Sequence, residues 1–357
     1  MYIRNINNYP LASADVYIEL PDTPCTYIIP DMHANPLLML QHLLRTKIMY
    51  WPQNGELYWQ QLVTFIHEPI PINAEQKVFR QYLKKFDSEF YKLLNLAKFE
   101  TKHKLLLLGD LIGDRGPNDW FILLLLKTLK KNKVKFTINF SNHDYETYLW
   151  TVFNHFADDK LTGVINDTQR CSLLNFYECH QRATKTLKQR MHNVYLNSYL
   201  KRVRLFAFNY NRHTNTVTIA THAPGSLSLI KDIAGQFNIN DPDCSTPHKL
   251  MRLLSKLNKL IRKNMLYNAD YFIKKLCPPA DTVNNEIHYL PIVRTIWGRH
   301  LELQNGRHQQ QIDYKIKWIC GHMGAPIDSE FVTNLDTSNL GKGDETSGQL
   351  CFSIDWC

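Results

Sequence analysis

Five short runs of β-forming residues along this chain each stop at a carboxylate, an amide or an imidazole. Thr26–Ile29 runs into Pro30-Asp31 and Lys104–Leu108 into Gly109-Asp110. Lys135–Phe140 runs into Ser141-Asn142-His143, Thr216–Ala220 into Thr221-His222, and Lys315–Cys320 into Gly321-His322. Short apolar runs bounded by turn-forming residues predict strands. Between them lie segments with helical spacing of apolar residues: Asn35–Tyr50, Glu75–Ala97, Asp119–Lys131, Thr168–Leu200 with breaks, and Pro247–Met265. Such alternation predicts an α/β fold, and open α/β sheets keep their ligands at the C-terminal ends of their strands. The five polar strand ends are therefore expected to share one site.

A chain of 357 residues with 44% hydrophobic and 21% charged residues can bury a sizeable core. Two intervals, Trp51–His103 and Gly225–Leu290, exceed simple connections and carry their own helical periodicity. With no Gly/Ser-rich or Pro-rich linker and no fixed-period repeat, the reading is one domain over 1–357 with helical insertions around 51–103 and 225–290. A polar segment, Asn339–Gly348, separates two terminal strands expected near Phe331–Leu335 and Gln349–Ile354.

The longest apolar run, Trp120–Leu126, is far shorter than the roughly 20 residues a membrane-spanning helix needs, and Met1–Leu20 lacks the pattern of a signal peptide. The 8 cysteines include no CxxC pair, which argues against a zinc ribbon and suits reduced, mostly buried thiols in a cytoplasmic setting. A net charge of +9 favours acidic partners. Lys127, Lys130 and Lys131 complement the dipole at the end of a helix that Asn118 or Asp119 is placed to cap. Because no aromatic residues interleave with them, they read as a solvated helix end, and a nucleic-acid partner is not expected.

The joined pattern is Asp31-Met-His33, Gly109-Asp110-Leu-Ile-Gly-Asp114-Arg115-Gly116, Asn142-His143-Asp144, Thr221-His222 and Gly321-His322. Two divalent cations about 3.5–4 Å apart need a bridging carboxylate, further O and N ligands, and open positions for water and a phosphoryl oxygen. Asp110 is the natural bridge, with Asp31 and His33 completing one ion's ligands and Asn142, His222 and His322 the other's. Two carboxylates against four positive charges leave the cluster cationic, suited to a phosphate dianion and to lowering the pKa of a bridging water.

This order of motifs resembles the calcineurin-like metallophosphoesterases, and the intact GDxxxDRG resembles their phosphoprotein phosphatase (PPP) branch. The resemblance spans Asp31 to His322. It implies a four-layer αββα sandwich and hydrolysis of phosphomonoesters by in-line attack of a metal-bridging hydroxide. It further implies Arg115 as phosphate clamp, His143 as the acid that protonates the leaving oxygen, Asp114 as its carboxylate partner, and a phosphorylated protein as substrate. Trp297-Gly-Arg299 is similar to the WxR segment of bacterial and phage relatives, which implies a second phosphate-binding arginine at Arg299. Asp336 resembles a late structural Asp of the family.

Phosphoserine and phosphothreonine are favoured over phosphotyrosine. A dinucleoside polyphosphate hydrolase and a silent PPP-fold binding module are the other readings of the same core. Mn²⁺ is the expected metal, with Fe and Zn²⁺ compatible with these mixed ligands. Pro30, Ala34, Ser141, Asp144 and the Ala-Pro-Gly after His222 depart from the family pattern without removing a metal ligand. A divergent core with added helices looks like the Wip-type effector phosphatases of Legionella, which implies secretion into a host cell and a host protein as target.

Overall fold

The computed structural model describes residues 2–5, 24–67, 74–114, 118–153, 176, 179–277, 290–298, 312–322, 327–328, 331–335 and 349–353. In chain order the strands are β1 (Tyr2–Asn5), β2 (Thr26–Ile29), β3 (Met49–Tyr50), β4 (Lys98–Phe99), β5 (Lys104–Leu107), β6 (Lys135–Asn139) and β7 (Val203–Arg204). There follow β8 (Ala207–Asn211), β9 (Thr216–Ala220), β10 (Lys315–Cys320), β11 (Ile327–Asp328), β12 (Val332–Asn334) and β13 (Gln349–Ser353). One sheet has the order β1-β13-β2-β5-β6-β7 and a second the order β11-β12-β10-β9-β8, while β3 and β4 pair separately. Within the first, β2, β5, β6 and β7 run parallel; within the second, β9, β10 and β12 do.

Burial on both faces explains why β2 and β5 read as nearly unbroken apolar runs, whereas β9 and the start of β10 alternate. Tyr27, Ile29, Leu105 and Leu107 face the main helix-covered core. Ile28, Leu106 and Leu108 turn the other way and join Ala207, Ala220, Ile319 and Leu335 of the second sheet in a smaller cluster. The strands expected at 26–29, 216–220 and 315–320 coincide with β2, β9 and β10, and β5 and β6 each stop one residue short of the expected end.

Helix Pro36–Arg45 carries proline in its first turn and is capped by Asn35, whose Oδ1 accepts from Leu37 N at 3.1 Å and Leu38 N at 3.2 Å. The expectation of a helix to Tyr50 is corrected. Thr46 Oγ1 donates to the carbonyls of His42 (2.8 Å) and Leu43 (3.2 Å), Lys47 turns to φ 50°, and Met49–Tyr50 pairs with Lys98–Phe99. Helix Asp119–Lys131 starts at the Asn118 cap, with Oδ1 accepting from Trp120 N at 3.0 Å.

In the 51–103 interval, helices Gly55–His67 and Gln76–Leu96 dock on Asp119–Lys131 through aromatic rings. Phe121 lies 3.8 Å from Phe86 and 4.5 Å from Phe90, centroid to centroid, and Phe65 lies 4.4 Å from Phe86. In the 225–290 interval, helix Pro247–Tyr267 supplies Asn258, which accepts from Leu205 N and Phe206 N at 3.1 Å each and donates to Phe206 O at 2.7 Å. Those bonds satisfy the backbone where the chain leaves the first sheet at β7 and enters the second at β8. Cys25, Cys179, Cys244, Cys277 and Cys320 are buried thiols. Among the described residues no helix is long and apolar enough to cross a membrane.

Candidate metal centre

The carboxyl ends of β2, β5, β6, β9 and β10 deliver Asp31, Asp110, Asn142, His222 and His322 to one buried cluster, with His33 and Asp114 beside them. The local backbone is unusual where these side chains leave the sheets. His33 (φ 47°), Asp110 (47°) and His322 (62°) are left-handed, a conformation costing non-glycine residues on the order of 1–3 kcal/mol each and concentrated at functional sites. The neighbouring chain over-determines these turns: Asp110 N donates to Ser141 Oγ at 2.9 Å, Ala34 N to Asp110 O at 3.2 Å, and His322 N to Asp31 Oδ2 at 2.8 Å. Close approach also dictates glycine at two positions. A Cβ on Gly109 (φ 118°) would sit 2.6 Å from Ser141 Cβ, and one on Gly321 would strike the Asp31 carboxylate.

Asp110, His222 and His322 bring ligand atoms within 4.8 Å of one another, and so do His33, Asp110 and Asp114, so Asp110 belongs to both sets. His222 Nδ1 donates to Leu108 O at 3.0 Å, which fixes the tautomer of the neutral ring. Its Nε2 lone pair then faces Asn142 Oδ1 at 2.8 Å and Asp110 Oδ1 at 3.4 Å. Three acceptors converging in a dry site repel unless a proton or a cation lies among them. Asp110 Oδ1 is buried and accepts no hydrogen bond among the described residues. The residues present therefore fit a divalent cation with mixed O and N ligands.

Electrostatics carry the same signature. Burial opposes the charge of Asp110, but His222, His143, His33 and His322 outweigh it and hold the carboxyl well below its usual range. Burial likewise opposes charge on His222, yet Asp110 and Asp31 push it up to about 10. Asp31 Oδ1 stands 3.5 Å from His222 Nδ1.

Asp114 Oδ2 is 2.6 Å from His33 Nδ1 and 3.7 Å from His143 Nε2, so this carboxylate serves two imidazoles, of which His33 is the nearer. His143 Nδ1 donates to Gly113 O at 3.1 Å, and Glu146 Oε2 lies 3.8 Å from the same nitrogen. Burial disfavours the charged ring, but Asp114, Asp110 and Glu146 raise His143 above its ordinary value. Arg115, Arg299 and Asp336 lie outside the described residues. Trp297, ending helix Pro291–Trp297, meets the His322 ring edge-on at 6.4 Å between centroids.

Several supporting groups escaped the sequence reading. Ser141 Oγ accepts from both Asp110 N and Asp144 N (3.1 Å), locking the β5 loop to the start of helix Asn142–Phe153. The Asp144 carboxylate accepts from Ile112 N at 3.3 Å, and burial with Asp110 nearby raises it to about 7. Asp119, expected only as a cap, instead accepts from Gly113 N at 3.0 Å. The departure of Ser141 and Asp144 from the family pattern was the available signal.

The family described as "WipA-like, phosphatase domain" matches residues 104–342, more than half of the chain. Among curated proteins none matches it by sequence. The crystal structure of the phosphatase domain from the Legionella effector WipB superposes with a TM-score of 0.65 at 21% identity, covering 85% of this chain and all of that one (100%). A cold-active protein-tyrosine phosphatase of a psychrophilic Shewanella species gives a TM-score of 0.45 at 13% identity, covering 95% of this chain and 79% of that one.

Proposed function

Because the chain belongs to the family of WipA-like phosphatase domains, we propose that it is a metal-dependent phosphoprotein phosphatase of the PPP type, acting first on phosphoserine and phosphothreonine. The observation that carries this reading is the convergence of Asp110 with His33, Asp114, His222 and His322 at strand ends that are scattered along the sequence. On this reading one catalytic domain spans 1–357, its two sheets form the inner layers of an αββα sandwich, and the helices of 51–103 and 225–290 are additions to it. The inner cluster that Ile28 and Leu106 share with Ala220 and Ile319 supports that layering.

Asp31, His33, Asp110, Asn142, His222 and His322 would hold two divalent cations, with Mn²⁺ first among the metals their chemistry accepts. When bound, the cations supply the Lewis acidity that makes water nucleophilic near neutral pH and offset charge on the phosphoryl group. The chain's own groups do the rest. Arg115 and Arg299 are assigned the phosphate oxygens, whose geometry a guanidinium fork matches. His143, kept protonated by Asp114 and Glu146, gives its proton to the departing alkoxide, which is a poor leaving group without one. The Gly113 carbonyl fixes which ring nitrogen remains free for that task. The resemblance to a Legionella effector domain supports a phosphoprotein of a host cell as the substrate.

Matched phosphoserine, phosphothreonine and phosphotyrosine peptides, incubated with the Mn²⁺-loaded chain, test the proposal. Faster phosphate release from the first two, abolished in Asp110→Asn, is the expected result. Release from phosphotyrosine alone would overturn the specificity, and hydrolysis of dinucleotides alone would overturn the protein substrate.

A further inference from the structure

Beyond the metal cluster, the outer helices enclose a groove of about 850 Å³ with a cationic rim. Helix Asp119–Lys131 contributes Lys127, Lys130 and Lys131, and helix Lys185–Val194 contributes Lys185 and Arg190. Among the described residues, Lys127, Lys130, Lys131 and Lys185 form no ion pair. Lys127 Nζ donates to Tyr91 Oη at 3.0 Å, Lys130 Nζ to the Asn197 carbonyl at 3.0 Å, and Lys131 Nζ to Asn95 Oδ1 at 3.5 Å, all neutral acceptors. Arg190 is paired with Asp87. The sequence reading of these lysines as a plain solvated helix end misses Lys185 and Arg190, which the fold brings in from more than fifty residues away.

We infer that this groove is a docking site for an acidic peptide segment, and, resting on the phosphatase reading, that the segment belongs to the phosphoprotein substrate. Charge complementarity selects a polyanion. The aromatic faces nearby are already occupied, Tyr91 by Lys127 and Arg190 and Trp120 by Arg190, so among the described residues neither ring is offered for stacking nucleobases. The surface is concave, which suits an extended chain more than the plane of a bilayer. Gln189 and Asn193 stand exposed beside the cations; Gln189 Nε2 donates to Asn193 Oδ1 at 3.3 Å, which leaves Gln189 Oε1 and Asn193 Nδ2 to face a peptide backbone.

Geometry adds a distance rule. Asp119, at the start of the lysine-bearing helix, holds Gly113 beside His143, whereas Lys131 ends that helix, about 18 Å away at 1.5 Å per residue. Lys127, on the same rim, is about 12 Å away, and an extended peptide covers about 3.3 Å per residue, so roughly four to six residues or more must separate the phosphorylated residue from the acidic stretch.

The experiment uses the full chain with Mn²⁺. Phosphopeptides carrying a Glu₆ stretch two, eight or twelve residues from the phosphoserine are compared with a Gln₆ control. A fluorescent, unphosphorylated Glu₆ peptide reports binding by anisotropy without turnover. Expected are a lower KM for the eight- and twelve-residue spacers only, an unchanged kcat, and loss of affinity on the order of tenfold in Lys130→Glu/Lys131→Glu/Lys185→Glu. Hydrolysis of a small aryl phosphate should be unaltered in that variant, and the matching Gln triple variant separates lost charge from altered folding. Equal KM for Glu₆ and Gln₆ substrates, or anisotropy unchanged by the substitutions, overturns the docking site. Binding of the triple-sensitive kind to phosphatidylserine vesicles but not to the Glu₆ peptide would overturn it in favour of a lipid surface. Anisotropy retained with no aryl phosphate turnover would leave the groove standing and remove the phosphatase reading.

Discussion

Loading the centre with Mn²⁺ should expel a proton from His222. In the metal-free fold burial works against charge on this ring, but Asp110 and Asp31 overcome it and lift the pKa from 6.5 to about 10. A proton held three pH units above neutrality costs about 4 kcal/mol to remove at pH 7, since each unit is worth about 1.4 kcal/mol. Metal affinity must carry that cost, because a ligating imidazole is neutral. Apparent affinity should therefore rise close to tenfold per pH unit between pH 6.5 and 8. Titration calorimetry in two buffers of different ionisation enthalpy should count about one proton released per chain at pH 7. The sign for folding is the reverse: a raised histidine stabilises the metal-free fold fully below pH 6.5 and loses that contribution as pH climbs through about 10. Heats independent of buffer, together with flat affinity across that range, would refute the assignment of His222 as a ligand displaced from its proton.

Three further outcomes follow from named contacts. Gly109→Ala places a Cβ against Ser141 and His222 at a φ that side chains avoid, so stability should fall by about 2–5 kcal/mol and metal uptake with it, read by chemical denaturation and metal analysis. His143→Ala should retain metal yet slow alkyl phosphates by about 10²–10⁴, and aryl phosphates far less; equal slowing would contradict the leaving-group role. Phe121→Ala empties the ring cluster formed with Phe86 and Phe90 and should cost about 3–5 kcal/mol, measured by urea unfolding, with metal content per folded chain unchanged.

The sequence disclosed the strands that matter because they are buried on both faces and end abruptly. Thr26–Ile29 is buried throughout and Lys315–Cys320 is apolar and buried from Trp318 on, and Asp31 and His322 follow within two residues. What it concealed was of two kinds. Strands too short to show a period are one kind: Met49–Tyr50 merges with the expected helix Asn35–Tyr50, and its partner Lys98–Phe99 carries no pattern of its own. Contacts between distant residues were the other: Asp114 reaching His33 across 81 positions, or Lys185 facing Lys131, has no local signature. The motif predicts Asp114 as the partner of His143, and only the folded geometry brings in its shorter contact to His33.

Asp110 belongs to both candidate ligand groups, and the proposed function requires it to stand between two cations. Crystals soaked in Mn²⁺ and measured at the metal's absorption edge should show two anomalous peaks about 3.5–4 Å apart flanking its carboxylate, and Asp110→Asn should lose at least one. No peak, or a single peak away from Asp110, would contradict the account.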